Sequence, residues 1–261
     1  MDRPRPNRRA AATPWPIEDA RLQAYLGRAF VEVHGWVGRG VIWSLEQIAR
    51  FQASYGIVGE SCEIGVHHGR FFLALENVTP EGMACHGVDV FDDQELNVDG
   101  SGQGSEAKFN ENVAGYAIGP DRVRTVVMDS MSAEARGFFR GIEGRVALFS
   151  VDGGHTRSHA MTDLASAEVA LAPGGVVWLD DFFNPNWPGA TEGVVDYLRG
   201  PHRLRPVLAI ESKLLLAGVS HADRIIAHLR EAGGSTGRRV KTVSFCGYSF
   251  LSINRPIDRA T

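Results

Sequence analysis

The sequence predicts a doubly wound, Rossmann-like α/β fold, its sheet mostly parallel with antiparallel strands late in the chain and helices on both faces. Three observations predict it. From Ser61 onward, short apolar runs alternate with stretches of helical periodicity, the pattern of β-α-β units. Runs such as Val146-Ala147-Leu148-Phe149 are continuous rather than alternating, which suits a sheet covered on both faces. Each run also closes on a polar or glycine-containing turn, and sheets of this kind gather ligands outside the carboxyl ends of their strands.

Residues 1–16 carry Arg3, Arg5, Arg8 and Arg9 among Pro4, Pro6, Pro14 and Pro16, and are expected to be a disordered basic tail, since prolines at that density oppose a targeting helix. Residues 17–32 and 43–55 place apolar residues at helical spacing, as in Leu45, Ile48, Ala49 and Phe51. The region 17–56 is therefore expected to form N-terminal helices that serve as a lid or as an interface between copies, with Trp36, Trp43 and Phe51 available for contact. The main domain is expected over 57–261. Its strands fall at 61–65, 84–90, 122–128, 146–152 and 175–180, with helices at 70–77, 105–116, 133–140 and 156–171 between them. Beyond lie a helix at 191–198, strand-like runs at 206–210 and 214–217, a helix at 222–231 and a final pair of strands within 241–253. The late strands lack long crossovers, so some of them are expected to be antiparallel. Residues 94–105, QELNVDGSGQGS, have no periodicity and form a loop, either a lid over the ligand side or a plain solvated connection.

The chain has 261 residues, 44% of them hydrophobic, enough for one good core, and a formal net charge of -4. That charge gives no global attraction for nucleic acid or an anionic membrane, so a small-molecule partner is favoured. No apolar run approaches the length of a bilayer span. Cys62, Cys85 and Cys246 are odd in number and widely separated, and they suit reduced residues of a cytoplasmic protein.

The strand ends carry the chemistry. Glu63-Ile64-Gly65-Val66-His67-His68-Gly69 puts two glycines in the turn after the first strand, where backbone can approach a ligand closely, yet the spacing is not that of a pyrophosphate-binding G-x-G-x-x-G turn. Asp89 ends the second strand, where a carboxylate can accept from ribose hydroxyls. Asp129 and Ser130 follow the third and could read an adenine edge, although Asp129 could equally cap a helix. Asp152 closes the fourth strand, followed by Gly153, Gly154 and His155, and Asp180 and Asp181 close the fifth. Three carboxylates on adjacent strand ends repel one another, and a hard divalent cation relieves them. Oxygen ligands suit Mg²⁺, Mn²⁺ or Ca²⁺ better than zinc. Consecutive strand residues face opposite ways, so Asp180 and Asp181 could act together only if the strand has already ended.

With these pieces, residues 61–253 resemble class I S-adenosylmethionine-dependent methyltransferases, including the Leu171-Ala172-Pro173-Gly174-Gly175 turn. More narrowly, VDGGHT, LDDFFNPNWPGATEG and ESKLLLA, in that order, resemble the macrocin-type sugar O-methyltransferases. The resemblance implies S-adenosylmethionine with its methionine end at the turn containing Glu63, Gly65, His67 and Gly69, its ribose at Asp89, and its adenine near Asp129 and Ser130. It also implies Mg²⁺ (or Mn²⁺) at Asp152, Asp180 and Asp181, and a hydroxyl of a sugar or glycosylated natural product as acceptor. In some relatives the acid two residues after the first metal aspartate is the proposed base; here that position is Gly154. His155 takes its place as the candidate base beside Asp152, the competing reading being a histidine that caps the following helix. His159, one turn on, reads as a surface or packing residue. Asn184, Asn186, Trp187 and Glu192 are candidates for the acceptor pocket. The rival functions are a nicotinamide-dependent oxidoreductase, a metal-dependent hydrolase or hydroxylase relative, and a cofactor-binding subunit without turnover.

Overall fold

The computed structural model describes residues 15–254. Its strands are β1 (Glu60–Ile64), β2 (Cys85–Asp89), β3 (Val123–Val127), β4 (Val146–Val151), β5 (Leu171–Leu179), β6 (Leu204–Ile210), β7 (Lys213–Gly218), β8 (Arg239–Phe245) and β9 (Tyr248–Asn254). They form one sheet in the order β3-β2-β1-β4-β5-β7-β6-β9-β8. The strands from β1 to β5 pair in parallel, whereas β7 lies antiparallel to both β5 and β6, and β8 antiparallel to β9. Some of the late strands are therefore antiparallel, as expected, and one late pair is not. β6 and β9 pair in parallel, because β7, a helix and β8 intervene between them and supply the crossover.

The helices are α1 (Ala20–Gly27), α2 (Ala29–Glu32), α3 (Arg39–Ser54), α4 (Arg70–Val78), α5 (Glu106–Tyr116), α6 (Ala133–Gly141), α7 (Arg157–Ala170), α8 (Pro188–Arg199) and α9 (Val219–Ser235). β1 and β4 are buried along their whole length; β4 is apolar but for Ser150, as such burial requires, whereas β1 buries Glu60, Ser61 and Glu63 as well. Alternate residues serve opposite cores: Leu148, Val176 and Trp178 pack with α1, α3, α4 and α9, while Phe149, Val177 and Leu179 pack with α6, α7 and α8. The crossovers diverge between β1 and β4, and a crevice opens there at the strand ends.

The N-terminal region corrects two expectations. Trp43 and Phe51 are each 1% exposed, so they belong to the core and cannot form a contact between copies. Trp15, placed in the tail by its proline-rich surroundings, is also 1% exposed and packs against Trp43 with ring centroids 5.4 Å apart. Packed chain thus starts before residue 17; the remainder of the expected tail, 1–14, lies outside the described residues. α3 starts at Arg39, ahead of its apolar pattern, because Glu211 Oε1 and Oε2 accept the N–H groups of Gly40 and Val41 at 3.2 Å each. Such a cap from a distant turn, the one between β6 and β7, leaves no local mark in the sequence. Among the described residues no helix is long and apolar enough to cross a membrane. Cys62, Cys85 and Cys246 are free thiols.

Candidate active site

A cavity of about 670 Å³ opens at the carboxyl ends of β1 to β5. Gly65, His67, Asp89, Asp129 and Ser130 line one side, and Asp152, His155, Asp180 and Asp181 line the other. On the first side, backbone dominates. Gly65 has φ +81, and a Cβ there would stand 1.9 Å from the carbonyl oxygen of Asp152, so only glycine lets the ends of β1 and β4 meet. Asp89 accepts the N–H of His67 at 2.8 Å and of Phe91 at 2.7 Å, tying two strand-end turns together while its remaining lone pairs face the cavity. Asp129 accepts the N–H of Met131 at 2.8 Å in a local turn and borders the cavity, while the helix cap it could have supplied comes from Ser132, whose Oγ accepts the N–H of Ala135 at 3.0 Å. Two expected cofactor contacts are not on the wall. Glu63 is buried beneath the turn, where burial pushes its carboxyl up to about 8 against the opposing pull of Lys213. Gly69, with φ +92, begins α4 and lies against Phe109.

On the second side, charged side chains dominate. β5 ends at Leu179, and Asp181 adopts a left-handed φ of +57, so both aspartates turn into the same cavity. The positive charge among the carboxylates comes from Lys213, 1% exposed at the start of β7, whose Nζ donates to Asp180 Oδ2 at 2.7 Å and Asp152 Oδ2 at 3.2 Å. Asp180 also accepts from Ser212 Oγ at 2.7 Å and from the N–H of Asp181 at 2.8 Å. Burial opposes its ionisation, but Lys213 and these donors outweigh that and hold its carboxyl below the usual range. Asp152, farther from the ammonium, is pushed well up by burial and by the neighbouring Asp180. Asp180 is thus engaged on both oxygens, a departure from the expected set of three open carboxylates. The atoms that do face a common space belong to Asp152, His155 and Asp181, all within 4.8 Å of one another.

His155 sits in a clamp. Its Nδ1 lies 2.9 Å from Asp99 Oδ2 and 3.0 Å from Ser101 Oγ, its Nε2 lies 2.8 Å from Asp181 Oδ2, and its ring stacks on Trp187 with centroids 4.5 Å apart. The His155 N–H donates to the same Asp99 oxygen at 2.7 Å. Burial works against the imidazolium, but the bond to Asp181 and the nearby Asp152 outweigh it and push the pKa up to about 9. With both ring nitrogens engaged by carboxylates, His155 keeps its proton at neutral pH and is an orienting cation rather than a resting base. The helix cap is supplied instead by Thr156, whose Oγ1 accepts from the N–H of His159 at 3.2 Å. Asp99 and Ser101 come from the 94–105 loop, which is no plain solvated connection. Asn97 Nδ2 donates to the carbonyls of Ser101 and Gly102 at 2.7 and 3.0 Å, folding the loop into a wall of the cavity.

His159 also lines the cavity, against the expectation of a surface or packing role, and a Cβ at Gly154 would come within 2.8 Å of its ring. The place where some relatives carry a carboxylate is thereby closed to a side chain unless His159 moves. Asn184, Asn186 and Trp187 border the cavity, whereas Glu192 does not. Lys213 and Asp99 were not singled out in the sequence. Lys213 did leave a signal, because a lysine opening the apolar run Leu214-Leu215-Leu216-Ala217 in a central strand must find countercharge.

Residues 62–182 match the methyltransferase-domain family. Among solved structures, the O-methyltransferase NovP superposes with a TM-score of 0.54 at 16% identity, covering 70% of this chain and 81% of that one. An O-methyltransferase described as putative, from Klebsiella pneumoniae, gives 0.53 at 15% identity, covering 78% and 91%. The MycE methyltransferase of mycinamycin biosynthesis, in complex with Mg, SAH and mycinamycin VI, gives 0.50 at 17% identity, covering 76% and 53%. No curated protein matches. The matched domain and the fold agree: residues 62–182 form a methyltransferase domain, and the sheet that carries it is the one shared with the methyltransferases above.

Proposed function

We propose that the chain is an O-methyltransferase that moves the methyl group of S-adenosylmethionine to a hydroxyl of a sugar or glycosylated small molecule. The observation that carries this reading is that one cavity joins the strand ends suited to the cofactor to the Asp152–His155–Asp181 cluster. Two of the similar structures bear the name O-methyltransferase, and that of MycE holds a methyltransferase product, Mg and a natural product. The sugar part of the reading rests on the LDDFFNPNWPGATEG and ESKLLLA resemblance, and on Trp187, Asn184 and Asn186, which offer an aromatic face and two amides on the acceptor side.

The cofactor supplies an electrophilic methyl group on a sulfonium. Asp89 is suited to accept from its ribose hydroxyls, and the Gly65 backbone leaves room for its amino-acid end. Asp181, oriented by His155 and by Asn184 Nδ2 at 2.5 Å, faces the acceptor side. The acceptor oxygen forms the new C–O bond as the methyl–sulfur bond breaks and its electron pair stays on sulfur. The hydroxyl proton leaves toward the carboxylates of Asp152 and Asp181, whose oxygens face one space together with the His155 ring. The donor set fits a divalent cation: Mg²⁺ takes one or two carboxylates and keeps several waters, so Asp152 and Asp181 would hold it while Asp180 anchors Lys213. Bound there, it would supply Lewis acidity to the hydroxyl.

The test is mass-spectrometric detection of methyl transfer from S-adenosylmethionine across nucleotide sugars, glycosides and catechols, with Mg²⁺ or chelator. Methylated glycosides are the expected product. Asp181→Asn should lower turnover by about a hundredfold or more while S-adenosylhomocysteine binding, measured by calorimetry, stays within a few fold. Methylation of catechols alone would overturn the sugar reading, and full activity of the variant in chelator would overturn the metal.

A further inference from the structure

Three imidazoles meet at the rim of the cavity, away from the acidic cluster. His34 comes from the segment between α2 and α3, and His67 and His68 come from the turn after β1. One ring nitrogen from each lies within 4.8 Å of the others. Neighbouring residues in extended chain point apart, yet these two histidines stack on the same side, centroids 3.8 Å apart, because His67 takes a left-handed φ of +52. His34 stands 5.2 Å from the His67 ring and 5.8 Å from the His68 ring, and Trp36 covers His34 and His67 at 5.0 and 5.3 Å.

Two features of His67 lack an explanation in the fold. A left-handed conformation in a residue other than glycine costs roughly 1–3 kcal/mol, and such strain collects where a ligand is held. Its Nδ1 is buried with no hydrogen-bond partner, whereas buried polar atoms are almost always satisfied.

We propose that His34, His67 and His68 form a binding site for a borderline-soft transition-metal ion, with Zn²⁺ the best match. Three imidazoles and no carboxylate suit zinc, nickel or copper and reject magnesium, so this site and the oxygen-rich Asp152–Asp181 cluster sort cations by chemistry. Tetrahedral zinc with Zn–N bonds of about 2.0–2.1 Å would draw the three nitrogens together and leave a fourth position for water. Since His67 and Trp36 line the cavity, the ion would fasten residues 33–38 to the β1 turn and fix one edge of the opening.

The test is a titration of tag-free, metal-stripped protein with Zn²⁺ against a chromophoric zinc chelator in excess Mg²⁺, alongside thermal melting. One equivalent of zinc should bind despite the magnesium and raise the melting temperature by several degrees. His34→Ala, at an exposed position, and His68→Ala should each weaken uptake by about tenfold or more and abolish the shift, while Asp181→Asn should keep both. No uptake at micromolar zinc, uptake retained in both histidine variants, or uptake lost in Asp181→Asn would overturn the site.

Discussion

The two walls of the cavity are built on different principles. At the ends of β1 to β3, the shape is made by backbone: a glycine that admits no Cβ, and aspartates whose oxygens gather N–H groups of their own and neighbouring turns. At the ends of β4, β5 and β7, it is made by side-chain charge: three aspartates, a clamped histidine and a buried lysine in mutual contact. The first wall should tolerate isosteric changes of charge better than an added methyl group. The second should tolerate changes of shape better than a lost charge.

Lys213→Met should give the largest effect, because it leaves Asp152 and Asp180 buried without countercharge. Breaking such a group costs about 3–5 kcal/mol, to be read by urea denaturation, and Lys213→Arg should recover part of it. Gly65→Ala comes next, at roughly 2–4 kcal/mol, since the new methyl meets the Asp152 carbonyl and the backbone is held at φ +81; S-adenosylhomocysteine affinity should fall with it. Equal losses from the charge-conserving Lys213→Arg and from Lys213→Met would dissolve the contrast between the walls. Asp99→Asn keeps the shape of the His155 clamp and removes its charge, and should lower kcat by about tenfold with KM for the cofactor little changed.

A pH-dependent effect concerns Asp163, fully buried on α7, where burial, opposed by Ser130, pushes the carboxyl up to about 7. The folded chain keeps this proton while the unfolded chain, with a carboxyl near 3.9, releases it as pH rises. Fewer protons on the unfolded state mean that stability falls from about pH 4 to pH 7, by at most about 1.4 kcal/mol per pH unit. Denaturation of Asp163→Asn across that window should lack this slope.

The order of strands and helices was legible in the sequence because continuous apolar runs and helical periodicity are local properties; expected and observed strands from β1 to β5 differ mainly at their ends, chiefly where β5 begins at Leu171 rather than 175. The residues around the cavity were legible insofar as they close strands: Gly65, Asp89, Asp129, Asp152, Asp180 and Asp181 all line it. The relations among them were not. Asp99 reaches His155 across 56 positions from an aperiodic loop, and Lys213 reaches Asp152 across 61. Glu63 was misplaced for a related reason: a strand-end acid reads the same whether it faces ligand or core, and only the packing of Lys213 and Ser150 around it decides.

The tripeptide Glu211-Ser212-Lys213 has a consequence for the order in which the molecule can be completed. Its first residue caps α3 from 171 positions away, its second holds Asp180, and its third neutralises Asp152 and Asp180. A nascent chain that has already made β1 through β5 still carries an uncapped early helix and a knot of unbalanced acids. Both are resolved by the same three residues, so the first helices and the reactive cluster reach their final form in one step, and fragments stopping short of Lys213 would be left with charge they cannot bury.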